Sequence, residues 1–174
     1  VRSVSAAGSA AASCADWVRP ALCEEALRLG RMLAALTPRE PEVHGLVALM
    51  EIQASRLHAR VGKDGEAVLL LDQDRSRWDQ LLIRRGLEAL ARAEQLGGAF
   101  GPYALQAAIA ACHARARAAD ATDWVRIATL YAALAQVNPS PVVELNRAVA
   151  VSMATGPASA LPLVARLQDD PAMK

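Results

Sequence analysis

Apolar residues recur every three or four positions in successive segments from Pro20 onward, and proline or glycine separates one segment from the next. This spacing places apolar side chains on one face of an α-helix, whereas a half-buried strand would alternate them. The first segment shows the pattern at Leu22, Ala26, Leu29, Leu33 and Leu36. Only 3% of the residues are aromatic although 53% are hydrophobic, a mixture that favours helices over sheets. We therefore predict an all-α fold of antiparallel helical pairs.

Turn and capping residues predict where these helices begin. Two segments have the form of a capping box, Thr37-Pro38-Arg39-Glu40 and Ser76-Arg77-Trp78-Asp79, in which the first side chain caps the helix that follows. Proline or acidic residues mark the other predicted starts, at Pro20, Gly101-Pro102, Asp120 to Asp123 and Ser140-Pro141. Gly156-Pro157 marks the predicted end of the sixth helix, and a weaker seventh ends near Gln168. The connections are short except around residues 62–77, where the apolar run Val68 to Leu71 could be extended or could dock a loop into the core.

One segment matches a known helical repeat. Trp124 to Tyr131 fits the opening of a tetratricopeptide unit, W-x2-L-G-x2-Y, with Ile127 and Ala128 in place of leucine and glycine. The small Ala128 would let a partner helix approach closely. The other segments fit the period poorly. We predict a tetratricopeptide-like array over residues 20–174, preceded by a linker or trimmed stub at residues 1–19.

The charge distribution and the cysteines exclude several classes of protein. The chain has 19 basic and 18 acidic residues, a net charge of +1, which leaves no broad electrostatic footprint for nucleic acid or an acidic membrane. No apolar run approaches the roughly 18 residues of a membrane span. Three scattered cysteines argue against a disulfide framework and favour a cytoplasmic location.

The sequence contains no pattern typical of an active site. No serine or cysteine has a histidine and an acid at a recognisable spacing, and no glycine-rich phosphate loop is present. His44, His58 and His113 make no metal-binding pattern with the cysteines. We therefore expect a protein that is not an enzyme, with no catalytic residues, no metal and no cofactor.

The most unusual stretch is Leu71 to Asp79, where acidic and basic residues surround a tryptophan inside the longest connection. Long connections in compact proteins are often functional. The spacing of Asp72 and Asp74 begins like a calcium loop, but the required glycine and glutamate are missing. Two interpretations stay open: an internal salt-bridge cluster with Ser76 capping the helix, or a pocket for a ligand or partner. The candidate binding residues here are Asp74, Arg75, Arg77 and Trp78.

Two predicted helices supply four more candidates. Tyr103 and Gln106 lie one turn apart, so they could line a groove with His113 or could be packing residues. Asn146 and Arg147 interrupt an otherwise apolar helix. They could face a concave binding surface, as polar residues do in helical repeats, or the asparagine could tie two helices together.

Several blocks occur in a recognisable order between Cys23 and Pro157. They read EEALRLGR at 24–31, PEV with GLVALM at 41–50, DQDRSRWD at 72–79, GPY with LQAAIAA at 101–111, TDW at 122–124 and SPVVELNRAVAV at 140–151. In these blocks the chain resembles the tetratricopeptide-like C-terminal extension of a group of bacterial extracytoplasmic-function (sigma-24-like) RNA polymerase sigma factors.

This resemblance implies an accessory or regulatory domain that acts in transcription initiation through protein–protein contacts. The implied partners are the sigma domains of the same parent chain and the RNA polymerase core. Promoter DNA would be contacted only through the sigma domains, which this sequence lacks, and no membrane is implied. Members of the family usually continue with a further helical pair, so we expect the last pair to be truncated. The alternatives are a small-molecule-sensing module and a generic peptide-binding repeat module.

Overall fold

The structure, a computed structural model, describes residues 19–168. These residues form seven α-helices and three short 3-10 helices, which confirms the all-α prediction. The helices are α1 (Pro20–Leu36), α2 (Pro41–Ala54), α3 (Gln80–Gln95), α4 (Pro102–Arg115), α5 (Trp124–Val137), α6 (Pro141–Thr155) and α7 (Pro157–Gln168). The predicted linker lies outside the described residues except for Arg19, as do residues 169–174 of the predicted helical domain.

Most helices begin where the sequence indicates, but both capping boxes were wrong. Asp79 caps α3, because its carboxylate accepts hydrogen bonds from the amides of Leu81 at 2.8 Å and Leu82 at 3.0 Å. Ser76 lies in a 3-10 helix before that cap. The Thr37 hydroxyl donates back to the Leu33 carbonyl at the end of α1, so α2 begins at Pro41 without a side-chain cap.

The helix α4 occupies the centre of the fold. It contacts α2, α3 and α5, while α6 packs between α5 and α7. Nine of its fourteen residues are buried, and five of those nine are alanine. Because these side chains are small, neighbouring backbones come close: a Cβ atom on Gly45 of α2 would lie 2.7 Å from the Ala104 backbone nitrogen. Whether the stack follows a tetratricopeptide-like array stays a prediction.

The long connection between α2 and α3 has little regular structure. It contains 3-10 helices at Leu57–Ala59 and Arg75–Arg77 and one isolated bridge between Val61 and Ala67. The apolar run Val68 to Leu71 lies in neither a helix nor a strand, and Leu70 packs against Trp78. Leu70 therefore docks on the core, whereas Leu69 and Leu71 are exposed. None of the helices in residues 19–168 is both long and apolar enough to cross a membrane.

Candidate functional site

Asp74 caps the 3-10 helix Arg75–Arg77 in the long connection. Its carboxylate accepts hydrogen bonds from the Ser76 hydroxyl at 2.7 Å and the Ser76 amide at 2.9 Å. These bonds lower the pKa of Asp74, because they favour the charged carboxylate. No ion pair within residues 71–79 holds the connection together, so the salt-bridge interpretation was wrong and Asp74 acts as a cap.

Arg75 joins the connection to the end of α4. Its guanidinium donates to the carbonyls of His113 and Ala116, the latter at 3.0 Å, and to the Thr122 hydroxyl at 3.4 Å. Carbonyls in the last turn of a helix lack partners within that helix, and a positive charge is favourable there. Arg75 therefore cross-links two parts of the chain.

Trp78 belongs to the core. Its side chain is only 4% exposed and packs with Ala59 and Ile83. The guanidinium carbon of Arg75 lies 4.7 Å from the ring centroid and that of Arg56 lies 5.8 Å from it, both within the range of cation–π attraction. Trp78 is therefore a packing residue and a platform for two arginines, and it is not available as a surface contact.

A cavity of about 230 Å³ opens beside this cluster, between α2, α4, α5 and the start of α6. We call it the arginine pocket. Its polar lining consists of Gln53, Arg56, Gln106, His113, Tyr131 and Asn138, and its apolar walls include Leu49, Ile109, Leu134 and Val143. Of the eight predicted site residues only Gln106 lines it, with its side-chain amide donating to the Pro102 carbonyl at 3.1 Å.

The positive charge of this pocket comes from Arg56, which is 8% exposed. The Gln53 side-chain oxygen accepts hydrogen bonds from Arg56 and, at 2.7 Å, from Arg60. The Arg56 Nε has no hydrogen-bond partner within residues 19–168. Burial, and then the charges of Arg60 and Arg75, lower the pKa of Arg56 to about 10. Arg56 is therefore still a cation at neutral pH.

His113 lies on the same pocket and is 7% exposed. Its ring meets the Trp124 ring edge-on, with the centroids 5.3 Å apart. Burial, and then the charges of Arg56 and Arg75, lower the pKa of His113 to about 4, so the imidazole is neutral at pH 7. Its Nδ1 is buried without a hydrogen-bond partner in the described part of the chain.

Three predicted site residues lie apart from this pocket. Tyr103 is exposed at the start of α4, where its backbone amide donates to the Glu42 carboxylate at 2.9 Å. Arg147 pairs with Glu144 of its own helix at 3.1 Å. Asn146 is exposed and makes no side-chain hydrogen bond within residues 19–168, so it does not tie two helices together. The eight residues therefore do not form one site.

Arg77 lines a second and larger opening. This α1–α3 cleft has a volume of about 700 Å³, and its walls mix apolar side chains with basic ones such as Arg31, His58 and Arg85. Arg77 is exposed there, and its side chain donates no hydrogen bond within the described residues. Among the four candidates of the long connection, only Arg77 is free to contact another molecule with its whole polar group.

The residues predicted from the sequence do not include Gln53 and Arg56. Arg56 supplies the positive charge of the arginine pocket, and Gln53 accepts its hydrogen bond. A signal was present, because Arg56 follows the apolar Ile52 by four positions, and Ile52 is buried. An arginine on an apolar face needs a partner inside the protein or in a ligand. The sequence predicts that His113 either lines a groove or packs in the core. In the structure it does both, because it lines the pocket and packs on Trp124.

The family and the relative that the chain matches are both described as having no known function. Residues 4–94 match the model of a family of unknown function, DUF6596. A protein of Rhizobium meliloti, described as uncharacterized, is 51% identical over 143 residues, or 82% of this chain, and the matched part covers 34% of that relative. No solved structure matches. The family match extends through most of α3, so the arginine pocket combines residues inside and outside it.

Proposed function

Because the chain belongs to the family of unknown function DUF6596, we propose its role from its surfaces and from its resemblance to sigma-factor extensions. The proposed role is that of an accessory domain of an alternative sigma factor, which regulates transcription initiation in the cytoplasm through protein–protein contacts. The observation that carries the protein–protein part is an apolar face of α1 that the other described residues, 37–168, leave exposed.

Only Leu27 and Gly30 of α1 are buried. The helix nevertheless carries five exposed large apolar side chains, Leu22, Leu29, Met32, Leu33 and Leu36. Leu36 is 77% exposed. Apolar side chains concentrated on one exposed helix are typical of interaction surfaces. In the proposed factor this face packs against the sigma domains or the polymerase.

The opposite end of the fold has a similar character. Exposed apolar residues on α6 and α7 include Val149, Met153 and Leu161. With their neighbours they line a groove of about 280 Å³. The described residues thus expose one apolar surface on α1 and another on α6 and α7. Two such surfaces favour a domain that binds other protein domains at both of its ends.

The deciding experiment is transcription from a cognate promoter by the full-length parent factor, with and without this domain. Lost transcription on deletion would support a positive role, and raised transcription would support a built-in inhibitor. Unchanged transcription would contradict both, as would a parent gene that encodes no sigma domains upstream.

Point variants distinguish residues that contact a partner from residues that only stabilise the fold. The double variant Leu29→Ser with Leu36→Ser should change transcription while leaving the melting temperature unchanged. Leu69→Ser, which alters a leucine that is 73% exposed outside α1, is the matched control. Arg77→Ala and Asn146→Ala test two of the exposed polar candidates in the same assay. A fall in melting temperature that accounts for the lost output would contradict an interaction role for the altered residue.

A further inference from the structure

We infer that the arginine pocket binds a small organic monocarboxylate, with its carboxylate beside Arg56 and His113 and its hydrocarbon part against Leu49, Ile109 and Leu134. This inference does not depend on the proposed role in transcription. It rests on an unbalanced charge, on unused buried hydrogen-bonding atoms and on the shape of the cavity.

Positive charge accumulates around the pocket without a carboxylate in direct contact with Arg56 in the described part of the chain. Arg60 and Arg75 lie close enough for their charges to act on Arg56. Arg56 and Arg60 share a single neutral acceptor, the Gln53 amide oxygen. No carboxylate in residues 19–168 forms an ion pair with any of the three. Removing a cation from water is costly without an anionic partner, and stacking on Trp78 offsets only part of that cost.

Two polar atoms on the pocket residues are buried and unused. Arg56 Nε and His113 Nδ1 belong to side chains that are more than nine-tenths buried, and neither has a partner in the described part of the chain. Both residues line the pocket. A guanidinium matches the two oxygens of a carboxylate, and a neutral imidazole can donate from Nδ1. A carboxylate bound in the pocket beside these two side chains would supply an acceptor that the described part of the chain does not give them.

The volume of the cavity limits the size of the ligand, and its apolar walls determine which chemical group fits beside the carboxylate. A volume of about 230 Å³ suits an acid with a handful of carbon atoms. The walls opposite the polar side chains come from leucine, isoleucine and valine, which favour a hydrocarbon group over further water. Inorganic phosphate has the charge but no apolar part, so the pocket should favour the organic acid.

Thermal unfolding at pH 7 and constant ionic strength tests the inference directly. The probes are acetate, isobutyrate, isovalerate and benzoate, each compared with its neutral amide, with inorganic phosphate and with chloride. At least one organic acid should raise the melting temperature in a saturable way, by about 3 °C at ten times its Kd. Its amide should have no such effect.

Two substitutions locate the effect in the pocket. Arg56→Gln should weaken binding of the active acid at least tenfold, whereas Arg84→Gln removes an exposed arginine of α3 and should not. Gln53→Glu supplies an internal carboxylate to Arg56 and Arg60. It should therefore raise the melting temperature without ligand and abolish the response to the acid. Gln136→Glu, on an exposed position of α5, is its matched control.

Three results would overturn the inference. The first is no saturable shift with any of the four acids, and the second is an equal shift with phosphate or chloride. The third is a Gln53→Glu protein that is less stable than wild type or that keeps the full response to acid. The Gln53→Glu result remains informative even if Arg56→Gln fails to fold.

Discussion

Arg31 and Glu51 form a two-pronged ion pair that joins α1 to α2, with distances of 2.6 Å from Nε to Oε1 and 3.0 Å from Nη2 to Oε2. Glu51 is 1% exposed, whereas much of Arg31 remains in contact with water. The pair is therefore asymmetric: the carboxylate depends on the arginine far more than the arginine depends on the carboxylate.

Arg31→Ala should lower the free energy of unfolding by about 3 kcal/mol, because it leaves a buried carboxylate without its partner. Chemical denaturation at pH 7 measures the loss. Adding Glu51→Gln to that variant should restore part of the stability, because the buried charge is then gone. Arg28→Ala, which breaks an exposed pair with Glu25 on the same helix, is the control and should leave the melting temperature unchanged. Equal losses for the two arginines would contradict the argument.

Two helical glycines should respond in opposite ways to alanine. Gly45→Ala should destabilise the protein by about 1–3 kcal/mol, because its new Cβ would meet the α4 backbone and the helices would have to separate. Gly30→Ala would meet side chains alone, with the nearest contact at 3.3 Å to the flexible Met50 and an ordinary contact at 3.5 Å to Val47, and should be neutral or stabilising by up to about 1 kcal/mol through helix propensity. Thermal melts of both variants decide this, and a tolerated Gly45→Ala would show that the close approach is not required.

Arg75→Ala should cost about 1–3 kcal/mol, because it leaves the carbonyls at the end of α4 without their donor. Arg75→Lys keeps the charge but cannot reach the same acceptors as a fork, so it should recover only part of the loss. Arg77→Ala, two residues away, should change stability by less than about 0.5 kcal/mol. Urea unfolding compares the three proteins, and an equal effect of Arg75→Ala and Arg77→Ala would rule out the cross-link.

His113 should make stability depend on pH below neutrality. The pKa of His113 is lowered to about 4 in the folded protein, against about 6.5 in an unfolded chain. Between these values the unfolded state binds more protons, so stability falls as pH falls from about 6.5 towards 4. The loss from this group is on the order of 2 kcal/mol.

The comparison of wild type with His113→Gln isolates that contribution, since carboxylates titrate in both proteins. Between pH 7 and pH 4.5 the wild type should lose more unfolding free energy than the variant. Parallel pH profiles for the two proteins would contradict a neutral, buried imidazole.

The helices were predictable because their local signals are strong. Pro20, Pro102 and Pro141 mark three helix starts correctly, and Asp123 caps α5 with its carboxylate as expected. The capping boxes failed for a physical reason. The Thr37 hydroxyl donates to a carbonyl at the end of the preceding helix, and Asp79, not Ser76, caps α3. Several nearby side chains can cap a helix, and tertiary contacts choose among them.

The candidate site was predicted less well because its residues come together only through packing. Gln53 lies in the last turn of α2 and Arg56 just after it, while His113 lies in the last turn of α4. No spacing in the sequence indicates that these two helix ends are neighbours. The composition of the charge-rich stretch at Asp74 to Trp78 predicted a binding site. In the structure Asp74 caps a 3-10 helix, Arg75 cross-links the connection to α4, and Trp78 packs in the core.

The burial of α4 on nearly every side has a consequence for how the domain comes apart. In a linear stack of repeats, terminal pairs can fray while the remainder stays folded. Here α4 contacts α2 and α3 on one side and α5 on the other, so loss of either side exposes the alanine-rich centre to water. The two halves should therefore unfold together, and neither should be recoverable as an independent folding unit after cleavage beside α4.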